Sequence, residues 1–64
     1  MNSKLIGLMH DWRSLCEGLS DCTEIEVLEM LEAERKGRKR QAHLVRLHQR
    51  YTALRAARER KEFI

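Results

Sequence analysis

Lys39, His43, Arg46 and Arg50 stand four, three and four residues apart, the spacing that lines side chains along one side of an α-helix. Such a row can follow a run of phosphates, and arginine can also grip the edge of guanine in a major groove. The row begins inside a denser basic cluster, Arg35, Lys36, Arg38, Lys39 and Arg40. Polyanion contact is therefore the first chemistry these residues suggest, with Arg38, Lys39, Arg40, His43, Arg46 and Arg50 as the contacting side chains. The competing reading is a solvated face neutralised by glutamates elsewhere in the chain. A single aromatic, Tyr51, sits in the adjoining apolar seam, which is too little for a platform of stacked unpaired bases. DNA is thus expected ahead of structured RNA.

Other chemistries are poorly served. Structural zinc sites bring paired ligands two to four residues apart, twice over; His10, Cys16 and Cys22 do not have that spacing and lack a fourth ligand. His43 and His48 point to different faces of a helix, so no metal or other cofactor is expected. There is no glycine-rich phosphate loop and no histidine set beside a nucleophile, and Ser14 and Ser20 have no basic partner nearby. A chain of 64 residues also has little material for a pocket that excludes water. No enzymatic activity is expected.

Charge divides the chain in two. Residues 1–34 carry two basic and eight acidic side chains, and residues 35–64 carry eleven basic and two acidic ones. The asymmetry fits a basic surface for a polyanion, and it fits equally an acidic helix folded against a basic one. Two cysteines are too few for a disulfide scaffold, so reduced thiols and a cytoplasmic location are expected. No apolar run has the length of an export signal or a membrane span.

The elements that would position the basic row follow from apolar spacing. Leu5, Leu8, Met9, Trp12, Leu15, Cys16 and Leu19 recur at threes and fours, which predicts an amphipathic helix over about 3–17, capped by Asn2 or Ser3 and ended by Gly18. Asp21 with Glu24, and Thr23 with Glu26, both fit a capping box, and glutamates early with Arg35 and Lys36 late suit the helix dipole; a second helix is predicted over about 24–36. Gly37 reads as a break. Leu44, Leu47, Tyr51 and Leu54 then define the seam of a third helix over about 38–62, roughly 37 Å long, whose C-terminal half would overhang the body or pack on a second copy. Phe63 and Ile64 would fray there.

The expected fold is all-α, a small three-helix bundle or helical hairpin with a long basic C-terminal helix, in a single domain. The joint Lys36-Gly37-Arg38 suits a helix-turn-helix and an antiparallel hairpin equally well. The expected function is that of a small non-enzymatic regulatory protein contacting nucleic acid through the third helix. The alternative is a homodimeric adaptor or inhibitor that takes a second copy or an acidic protein partner on Leu8, Trp12, Leu15, Leu47, Tyr51 and Leu54, although a tryptophan in such a seam is more often core. On an overhanging third helix, Arg55, Arg58 and Arg60 would lie beyond the reach of the glutamates.

Overall fold

The computed structural model describes residues 3–63. Among them are four α-helices and no strand: α1 (Ser3–Leu8), α2 (Trp12–Gly18), α3 (Glu24–Lys36) and α4 (Gln41–Glu62), with a 3₁₀ turn, Leu19–Asp21, between α2 and α3. The protein is all-α. Met1, Asn2 and Ile64 lie outside the described residues, and so do the expected cap at Asn2 and the chain end at Ile64.

The first expected helix is two helices. Asp11 is extended (φ −147°, ψ 171°) and caps α2, its carboxylate accepting from the Ser14 amide at 2.7 Å. That backbone bond, chiefly, holds the Asp11 carboxyl below the usual carboxylate value. Upstream, the amides of Met9 and His10 close α1 onto the carbonyls of Leu5 and Gly7. The apolar rhythm runs across the break because Leu5, Leu15 and Leu19 all enter the same core. Rhythm alone could not reveal it. A Cβ on Gly18 would run into the side chain of Leu8, so this glycine lets α1 and α2 close on one another.

At the start of α3, Thr23 Oγ1 accepts from the Glu26 amide at 3.2 Å and Glu26 accepts from the Thr23 amide at 2.9 Å. This is the reciprocal box that satisfies two otherwise orphaned donors. Lys4 reaches the same glutamate at 3.4 Å and ties α1 to α3. α3 and α4 make the most extensive helix contact in the molecule. They run antiparallel: Glu34 at the end of α3 meets Arg40 just before α4, and Glu24 at the start of α3 meets Arg58 near the end of α4.

This pairing limits the expected overhang of the long helix. Arg58 donates to Glu24 at 2.9 Å, so α4 runs beside α3 almost to its last turn. Arg58 also pairs with Glu62, and Arg55 with Glu59, within α4. Of the three arginines expected to lie beyond the glutamates, Arg60 makes no ion pair among the described residues.

Every element feeds one core of Leu5, Leu15, Leu19, Cys22, Val27, Met30, Leu31 and Leu47. From the 22 residues of α4, only Leu47 and His43 are buried. The molecule measures 38 × 19 × 19 Å with a radius of gyration of 11.9 Å, against about 10.7 Å for a compact chain of this length. It is a short rod rather than a sphere.

Candidate nucleic-acid interface

The joint between α3 and α4 is built around one buried carboxylate. Glu34 is 2 % exposed and accepts from Arg40 three times: from its amide at 2.9 Å, from Nε at 3.0 Å and from Nη2 at 2.9 Å. Nη2 of Arg40 also donates to the Met9 carbonyl at 2.8 Å, a group left open by the break between α1 and α2. A guanidinium fork on a carboxylate is among the strongest polar contacts a protein makes. Its effect is seen on both partners, since the Arg40 side chain holds Glu34 below the usual carboxylate value and Glu34 raises Arg40 further.

The joint around this pair is closely specified. The Gly37 amide donates to Ala33 O and the Lys39 amide to Glu34 O, both at 2.9 Å. Lys39 is the one residue other than glycine with a positive φ among the described residues, at 54°. A left-handed lysine is strained by about 1 kcal/mol or more and persists only where its surroundings fix it. Arg40 on Glu34 supplies that fixing, and α4 begins at Gln41 rather than near residue 38.

The expected basic row is therefore redistributed. Arg38 and Lys39 are exposed on the joint, outside any helix. Arg40 is engaged in the fold and is not a free contact. His43 is 5 % exposed, because it lies one turn before Leu47 on the side of α4 that faces the core. Its ring meets Trp12 edge-on, with centroids 5.6 Å apart. Arg46 is half-buried and makes no ion pair among the described residues. Arg50 is half-buried too, with Nη2 on the Ser20 carbonyl at 3.3 Å and Nε without a partner.

What the structure does bring together is a cap of four exposed cations, Arg35, Lys36, Arg38 and Lys39, over five consecutive positions. None of them has a carboxylate partner among the described residues. Arg35 and Lys36 belong to this group by their place at the end of α3, and their adjacency in the sequence is the signal that could have added them to the site.

The expected protein-contact residues separate in the same way. Leu15 and Leu47 are fully buried, and Leu8, Tyr51 and Leu54 are half-buried at the margin of the core. Trp12 is 46 % exposed, anchored through its edge contact with His43. Cys22 is buried, its thiol pushed up by that burial and donating to the Gly18 carbonyl; Cys16 is half-buried, and both are free thiols. Among the described residues, no group of three or more His, Cys, Asp or Glu could hold a metal ion, and no helix is long and apolar enough to cross a membrane.

His43 gives a pH prediction. Burial first, then the charge of Arg40, pushes its pKa below the ordinary 6.5, and Nε2 has no hydrogen-bond partner. A depressed folded value means that the unfolded chain takes up the proton first. The histidine's contribution is therefore complete above the unfolded value and is lost as pH falls from about 6.5 through the folded value. Thermal melts should be level above neutrality and decline below it, followed through Trp12 fluorescence. His43→Leu should flatten that limb without loss at pH 7, since it removes a buried polar atom that has no partner.

No protein-family model, curated protein or solved structure matches this chain.

Proposed function

We propose that this is a small non-enzymatic regulatory protein that binds nucleic acid, DNA before RNA, through the basic cap between α3 and α4. The observation that carries the proposal is the concentration of unpaired cations at one hydrogen-bonded joint. Arg13, Arg40, Arg55 and Arg58 are matched to carboxylates; among the described residues Arg35, Lys36, Arg38 and Lys39 are not, and the other unmatched arginines and lysine, Arg46, Arg50, Arg60 and Lys61, are spread along α4. Phosphate contacts of this kind supply affinity and register rather than sequence choice. In this reading α1 and α2 together act as one arm of a three-part bundle with α3 and the long basic α4. The two free thiols favour a cytoplasmic setting.

Fluorescence anisotropy of a labelled duplex and of a single strand tests the proposal. Four neutralised phosphates predict a loss of about 100-fold in duplex affinity between about 50 and 200 mM salt; Lys36→Gln with Arg38→Gln should reduce the loss to about 10-fold. Arg46→Gln and Arg60→Gln, outside the cap, should have much smaller effects. An absence of binding at the lowest salt, or a slope unmoved by the cap substitutions, would overturn the reading.

A further inference from the structure

The α3–α4 pair is covered on one side only. The contacts of the first 20 residues with it land on the same side: Lys4 on Glu26, Met9 O on Arg40, the Trp12 ring on His43 and Ser20 O on Arg50. On the opposite side α3 and α4 leave a groove of about 430 Å³, lined by Leu31, Leu44, Val45, His48, Gln49 and, at the joint end, Arg35. A second depression, sharing His48, lies beside α4 along Tyr51, Thr52 and Arg55 to Glu59. Val45 stands on the rim, 49 % exposed.

We propose that a second copy of this chain docks on this face, forming an isologous dimer in which the two α3–α4 pairs make a four-helix body. This inference shares Arg35 with the nucleic-acid reading but does not use Lys36, Arg38 or Lys39. Its first support is shape. A two-fold interface needs a projection and a recess on the same surface, because each copy must give what it receives. Val45 supplies the projection beside a recess floored by Leu31 and Leu44, the arrangement by which helix ridges enter grooves.

The second support is area. The long side of the molecule is 38 by 19 Å, close to the roughly 800 Å² that each partner contributes to a stable interface. The accessible surface of 4699 Å² also exceeds the roughly 4,300 Å² expected of a compact monomer of this mass. A rod with one long side left uncovered retains surface that a second rod can cover.

The third support is charge, and it sets the direction of the pair. The face is positive at its joint end, where Arg35 has no carboxylate partner among the described residues, and carries the Arg55–Glu59 ion pair at its other end. A two-fold axis across the middle of the face, near Tyr51 and Thr52, lays the joint end of one copy over the far end of the other. Each Arg35 then lies against Glu59 of the second copy, a carboxylate it shares with that copy's Arg55, twice over by symmetry. A parallel pairing, which would gather both Arg35 side chains at one end, is avoided.

Sedimentation equilibrium from micromolar to submillimolar protein tests this. The mass should rise with concentration from 7.6 kDa towards twice that value. Val45→Glu and His48→Glu, both on exposed side chains, should each raise the dimer dissociation constant by at least about 10-fold, a single interface residue's worth, with the far-UV helical signal retained. Arg35→Glu should weaken the dimer, and Arg35→Glu with Glu59→Arg should recover part of the loss. Lys36→Gln and Arg38→Gln should leave the dimer intact, so the two proposals can fail separately. A mass fixed at 7.6 kDa over the whole range, including the case in which the groove takes only an added acidic amphipathic peptide, would overturn the dimer. So would a Val45→Glu variant that associates like the original protein.

Discussion

Glu34→Ala is expected to cost about 3 kcal/mol of folding stability, and to lower the melting temperature by about 10–25 °C in a domain of this size. The reasoning starts from burial. Glu34 is 2 % exposed and Arg40 is half-buried, so removing the carboxylate leaves a guanidinium partly out of water with no counter-charge. Arg40 keeps some solvent contact, which places the loss at the lower end for broken buried pairs. The Arg40 amide loses its acceptor too, and the left-handed Lys39 loses the anchor next to it. A chain of 64 residues has only about 3–10 kcal/mol of stability in all. Thermal and denaturant unfolding measure the effect. Glu34→Leu combined with Arg40→Met should recover much of it, because both charges then leave together. A Glu34→Ala protein that melts with the original would show that the pair is dispensable. The same pair gives a second acid limb. The folded pKa of Glu34 lies below its ordinary 4.5, so its contribution is complete above the unfolded value and disappears as pH falls through the folded one.

Leu47→Ala should cost about 2–5 kcal/mol, in the range for a fully buried leucine in a core that cannot collapse onto the gap. Leu47 is 0 % exposed and is the one apolar side chain that α4 buries completely. The helix is therefore docked through a single apolar anchor, its neighbours Leu44, Tyr51 and Leu54 lying at the margin. Loss of the anchor should shift the urea midpoint with little change in slope and speed amide exchange along α4 before the rest of the molecule. Val45→Ala, on the uncovered side of the same helix, should change the stability of the monomer by less than about 0.5 kcal/mol. If the two substitutions cost the same, the assignment of inner and outer faces is wrong.

Much of the helical character was legible. The Thr23–Glu26 box can be read directly from residue type and spacing, since a cap involves partners only three residues apart. The break at Met9–Asp11 has one local correlate, Asp11 as an N-cap residue type, while the apolar spacing runs through it unbroken. Periodicity reports which residues face a core, not whether the backbone between them is continuous. The basic row shows the same limit. Lys39, His43, Arg46 and Arg50 are aligned only if residue 39 is already helical, and Lys39 instead turns left-handed.

By itself, the sequence determined that this chain is helical, that its charge is divided between two halves, and that a dense group of cations lies near residue 37. Those properties depend on residue type and on neighbours within one or two turns. Only the tertiary structure decided which charges are available. Whether an arginine is a surface contact or a structural tie depends on a carboxylate brought to it by the fold: Glu34 claims Arg40, and Glu24 claims Arg58 from 34 residues away. The cations left over at the joint, and the side of the helix pair left uncovered, are remainders of that packing. Such remainders have no local code, because they are set by what every other element has already used.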